Sequence, residues 1–98
     1  MKFIVKAKVT AIENPHEMKL KDRPQSLEAA TAILECGQGN DFICADVYGK
    51  DRIVVLKQKM LADKPVDLVI SIVGKVRTNS KDGTPFYDNT VSVKWILS

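Results

Sequence analysis

Alternating apolar and polar residues over most of the chain, one segment with helical spacing, and a length of 98 residues predict an all-β fold. The expected form is five short strands rolled into a Greek-key barrel, with one short helix between the third and fourth. Successive strand residues point to opposite faces, so a wall with one dry and one wet side appears as period-two alternation. The length suits one domain over residues 1–98 with a single core.

The elements follow in order. In residues 3–11, Phe3, Val5, Ala7, Val9 and Ala11 share one face while Lys6, Lys8 and Thr10 share the other, giving a half-buried strand. Residues 13–26 are polar with Pro15 and Pro24 near their ends, and read as a long loop. Residues 27–36 read as a second strand whose alanines blur the buried face, closed by a turn at Gly37-Gln38-Gly39-Asn40-Asp41. The third strand runs from Phe42 to Tyr48, with Ile43, Ala45 and Val47 inside and Phe42, Cys44, Asp46 and Tyr48 outside; Gly49 ends it.

Residues 50–64 place Ile53, Leu56 and Met60 on one helical face, with Pro65 as a stop, although Ile53-Val54-Val55 also suits a strand. Residues 66–78 alternate again: Val66, Leu68, Ile70, Ile72 and Val76 face in, and Asp67, Ser71, Lys75 and Arg77 face out. Asn79–Pro85 carries hairpin chemistry in its Asp82-Gly83 step. The last strand, Phe86 to Leu97, puts Val91, Val93, Trp95 and Leu97 on the core face. Three strands, a helix and two strands is the order of an OB-fold barrel.

Composition narrows function only by exclusion. No stretch approaches the ~18–20 apolar residues of a membrane helix. The lysine-interrupted N-terminus has no continuous apolar run like that of a signal peptide, so a cytoplasmic protein is expected. A net charge of +3 permits a nucleic-acid partner without requiring one. Cys36 and Cys44 could oppose each other across a hairpin, but in a reducing compartment they read as free, half-buried thiols. His16 stands apart from them, no CxxC or HxxxH spacing exists, and neither a metal site nor a cofactor is expected. Gly37-Gln38-Gly39 opens no helix, no catalytic Ser-His-Asp or Cys-His set has motif support, and His16 reads as an exposed loop residue. The chain is not expected to be an enzyme.

Binding is better supported. Phe42 and Tyr48 lie on the outer face of the third strand, where bases could stack or where a secondary core or subunit contact could form. Lys50 and Arg52 follow at once, and Lys75, Arg77 and Lys81 lead into a hairpin carrying Phe86 and Tyr87. Basic groups interleaved with aromatics match a charged strand bearing bases. Asp46, between the two aromatics, opposes this reading.

Phe42-Ile43-Cys44-Ala45-Asp46-Val47-Tyr48-Gly49-Lys50 resembles the third-strand signature of bacterial single-stranded-DNA-binding proteins. Val69–Thr78 is similar to that family's fourth strand, and Gly83, Phe86-Tyr87 and Val91-Ser92-Val93 to its last hairpin. The resemblance spans roughly residues 42–97. It implies Phe42 and Tyr48 as base stackers, Lys50 as a phosphate contact, single-stranded DNA as partner, a homo-dimer or homo-tetramer, and work in replication, recombination or repair. The turn between strands two and three lacks the family's usual aromatic, and Lys81 stands where an aromatic is expected near the tip of 79–85. No acidic tail of the kind that recruits replication partners in that family is expected. That pattern resembles a tail-less relative, such as a primosomal replication protein or a phage or plasmid homologue. The other readings are an OB-fold adaptor binding a protein partner through Phe42 and Tyr48, and an RNA- or oligosaccharide-binding OB domain.

Overall fold

A computed structural model of the chain describes residues 1–19, 21–22, 24–37 and 41–97. Five strands, β1 (Lys2–Lys19), β2 (Ser26–Cys36), β3 (Phe42–Tyr48), β4 (Val66–Thr78) and β5 (Pro85–Ile96), close a barrel in the order β1-β2-β3-β5-β4. One helix, α1 (Lys50–Ala62), lies between β3 and β4. All neighbours are antiparallel except β3 and β5, which meet in parallel at Asp46 and Ser92. This is the OB-type barrel that the alternation predicts. Its interior is filled by Leu34, Leu68, Ile70, Val47 and Val66, with Ile53 and Leu56 of α1 packed into the same cluster.

The helix replaces the strand alternative for 50–64. Buried Ile53 and Leu56, with Met60 packed behind them, recur at helical spacing, and burial against the barrel outweighs the β preference of Ile53-Val54-Val55. Gly49, at φ 100°, turns the chain from β3 into the helix. The helix ends on Asp63 in the left-handed region, before Pro65.

The 13–26 segment is not a long loop. β1 continues to Lys19 and pairs Glu17, Met18 and Lys19 with Glu28, Leu27 and Ser26. Pro15 is accommodated because the ladder is irregular between Glu13 and His16, with Asn14 at φ 54°. This extension is exposed on both faces, so no apolar alternation marks it. The 37–41 turn lies partly outside the described residues, although the Cys36 N–H donates to the Asp41 carbonyl across its base at 2.8 Å.

Two bulges re-aim side chains. An extra residue at Thr10 reverses β1, so Ile12, opposite buried Ala32, packs against the core and Ala11, opposite Ile33, faces away from it. In β5, Val69 pairs with Trp95 but the next residue, Ile70, pairs with Val93, leaving Lys94 as the extra residue. A one-residue slip exchanges the faces of a strand. Val91 and Val93 therefore face in as the alternation requires, whereas Trp95 and Leu97 are turned out, against the expectation of a core tryptophan.

Cys36 and Cys44 are free and do not face each other. Cys44 pairs across the ladder with Ile33, and Cys36 lies on the core side while Cys44 is exposed.

From Val73 to Asn89 the chain leaves the barrel as a two-stranded hairpin whose described side chains are exposed, apart from half-buried Asn79. Val76 is therefore 64% exposed and does not belong to the core, although it keeps the parity of Ile70 and Ile72. Ser71 departs in the other direction: it faces outward but is buried, between its ladder partners Lys2 and Ser92. The tip is closed by Asn79 N–H to Thr84 O and Gly83 N–H to Asn79 O, both 2.9 Å. The Asn79 and Asp82 side chains accept from the Lys81 and Thr84 N–H groups. Gly83, at φ 73°, takes the left-handed position that the Asp-Gly step suits. The two projecting hairpins give the molecule extents of 48 × 38 × 21 Å.

Candidate nucleic-acid interface

The outer side of β3 carries Phe42, Cys44, Asp46 and Tyr48, as their alternation with half-buried Ile43 and buried Ala45 and Val47 requires. Phe42 is 52% exposed, with Glu35 as its ladder partner. Tyr48 sits ~20 Å away, six residues at ~3.3 Å each. It is half-buried opposite buried Ala29 and donates its hydroxyl to Asp46 Oδ2 at 3.5 Å. Burial, and then the Asp46 carboxylate, hold the Tyr48 phenol above its ordinary pKa. The two aromatics share a face but not an environment.

The parallel bridge of Asp46 with Ser92 sets where the β4–β5 hairpin emerges. Phe86 pairs with Arg77 and Asp88 with Lys75, and these four share the parity of Ser92, which continues the outer wall of β3. Phe86 is 53% exposed. Tyr87, one residue on, points to the other face with Val76 and is 80% exposed. The structure thus brings Lys75, Arg77 and Phe86 onto one face of the hairpin, with the parity of Ser92, and separates Tyr87 from it. Lys81 lies at the hairpin tip, and Lys50 opens α1 at the opposite, Tyr48 end.

Sequence reasoning places Arg52 beside Tyr48 but misses His16, Met18 and Lys57 at that end. The Arg52 guanidinium donates to the Tyr48 carbonyl at 3.2 Å. His16 and Lys57 share a cleft of about 250 Å³ with Ile53. A second cleft of about 170 Å³ contains His16, Met18, Asp46 and Tyr48. His16 Nδ1 lies 2.7 Å from the Asn14 carbonyl, and since a carbonyl only accepts, Nδ1–H donates. No local signal marks His16 or Met18, because the β1 extension that carries them reads as a loop.

Among the described residues, no group of three or more His, Cys, Asp or Glu side chains could hold a metal ion. No helix among them is long and apolar enough to cross a membrane. Burial, and then Asp41, raise the Cys36 thiol above its ordinary pKa, which weakens it as a nucleophile. Comparison with protein-family models and with curated proteins returns no match.

Proposed function

We propose that this barrel binds single-stranded DNA along the outer face of β3 and the β4–β5 hairpin, without catalysis, in DNA replication, recombination or repair. The observation that carries the reading is the hairpin face of half-exposed Phe86 with Lys75 and Arg77, joined through the Asp46–Ser92 bridge to the outer side of β3 that carries half-exposed Phe42. Rings stack on unpaired bases of any identity, and cations beside them neutralise phosphates. At the other end, Tyr48, Lys50 and Arg52 extend the track, which suits a site of several nucleotides. Lys81 at the tip supplies a further phosphate contact, whereas Tyr87 faces away and contributes less.

The test is fluorescence anisotropy with labelled oligo-dT, the matching duplex and the matching RNA at two salt concentrations. Tighter binding to oligo-dT than to duplex, weakening steeply with salt, is the expected result. Equal or tighter binding to duplex DNA would overturn the stacking mechanism. RNA bound as tightly as DNA would redirect it to single strands in general.

A second reading, a protein-binding face, is favoured by a separate observation. Ile4 (71% exposed), Trp95 (50%) and Leu97 (54%) lie on the outer side of β1 and β5, flanking Val69. That is an apolar surface of the kind monomers rarely leave in water. Self-association as a dimer or tetramer covers it, and light scattering at micromolar concentration tests this. A monomeric mass would leave the face to a different protein, as in an adaptor.

A further inference from the structure

We propose that the cleft between Tyr48 and His16 is a guanine-selective position within an otherwise sequence-tolerant DNA track. This inference rests on the single-stranded-DNA reading and adds base choice to it.

The argument starts from Asp46. A carboxylate midway along a surface meant for a phosphate polymer costs affinity through repulsion, unless it contacts a base instead. It is half-buried on the outer side of β3, and Tyr48 donates to only one of its oxygens, at a long 3.5 Å. Among the described residues, nothing donates to Asp46 Oδ1. The carboxylate lines the cleft of about 170 Å³ together with His16, Met18, Ala29, Ala30 and Tyr48. At liquid density that space holds about six waters, which suits the edge of one base and not two.

The polar groups of the cleft are nearly all acceptors. His16 Nδ1–H donates to the Asn14 carbonyl, so Nε2 is the ring's acceptor nitrogen whenever the imidazole carries one proton. The Asp46 carboxylate only accepts, and the Tyr48 hydroxyl is spent on it. A base entering here must present donors. Guanine alone offers two adjacent donors, N1–H and the N2 amine, which a carboxylate accepts in parallel. Cytosine and adenine offer one amine beside a ring-nitrogen acceptor. Thymine sets a single N3–H between two carbonyl oxygens, which would face the carboxylate. The order is therefore guanine first, adenine and cytosine next, thymine last. Tyr48 and Met18 supply the apolar flank against which a base can lie.

The experiment compares a labelled oligo-dT with the same strand carrying one central guanine, and with inosine, which lacks the N2 amine, at that position. The guanine strand is expected to bind about fivefold tighter or better, with inosine losing most of that gain. Asp46→Ala and Asp46→Asn, each checked by thermal melt, are expected to bring the guanine-to-thymine ratio toward one. Binding of both strands with equal affinity by the unaltered protein would overturn this inference and leave the single-stranded-DNA reading standing. A guanine preference that persists in both Asp46 variants would overturn the assignment to this cleft. Failure to bind any strand would overturn both.

Discussion

Leu68 and Val76 lie on one strand, eight residues apart and with the same parity, yet Leu68 is fully buried and Val76 is 64% exposed. Leu68 belongs to the closed part of the barrel, where β1 and α1 complete the enclosure. Val76 belongs to the projecting hairpin, where its only described ladder partner is Tyr87 of β5. The same period-two sequence therefore supports two regimes. In the barrel, removal of apolar surface from water holds the wall. In the hairpin, backbone ladder bonds and the Asn79–Thr84 turn do so, and the side chains stay available to a ligand. Proposed binding groups Lys75, Arg77, Lys81 and Phe86 stand where they contribute least to stability.

The sharpest way to break that division is to truncate one residue from each side of it. Leu68→Ala is expected to cost ~2–5 kcal/mol in a thermal or denaturant melt. Phe86→Ala and Tyr87→Ala are expected to stay within about 0.5 kcal/mol. A hairpin variant as destabilising as Leu68→Ala would show that the two regions are not separate.

Binding should invert the ranking. Phe42→Ala and Phe86→Ala are each expected to lose ~1–3 kcal/mol of oligo-dT affinity, about five- to 150-fold, with an unchanged salt slope. Arg77→Ala is expected to weaken binding at low salt and reduce the slope of log affinity against log salt by somewhat less than one. Tyr87→Ala, facing the other way, should lose less than Phe86→Ala; an equal loss would place the ligand on both faces.

The turn itself supplies a smaller effect. Gly83 is left-handed with open space around its missing Cβ, so Gly83→Ala meets backbone strain and no clash. It is expected to cost ~1–2 kcal/mol of local stability, read as faster hydrogen exchange at Asn79 and Thr84 with the barrel amides unaffected.

The smallest effect is a titration. The Tyr48 phenol has its folded pKa raised, first by burial and then by Asp46. The stabilisation this represents is complete below the unfolded value of ~10 and is lost as pH rises through the higher folded value. Ultraviolet absorbance should show Tyr48 ionising late. Asp46→Asn should move it only part of the way back, because burial remains.

The legibility of the sequence follows the same boundary. Where a strand has one dry face, as in Phe42–Tyr48 and Val66–Ile72, alternation specifies both extent and orientation. Where both faces are wet, as in Glu13–Lys19, a strand looks like a loop. The bulges at Thr10 and Lys94 are invisible because each depends on the neighbouring strand's register, and they reversed the expected faces of Ala11, Trp95 and Leu97. Of the candidate site, Phe42 and Tyr48 were legible as one face. Pairing of Phe86 with Arg77, and approach of His16 to Asp46, required the fold.

The Lys94 bulge also has an optical consequence. It turns the chain's single tryptophan into water, beneath the Lys2 ammonium 5.0 Å from the ring centroid. The ring's Lys2 contact comes from β1, across β4 and so on the side away from β3. The protein thus carries its own fluorophore on the apolar face and off the proposed DNA track. Emission should lie toward the red, and iodide should quench it freely. Oligo-dT should leave that quenching unchanged, while self-association through Ile4 and Trp95 should abolish it. A single dilution series then reports assembly independently of DNA, with no label attached.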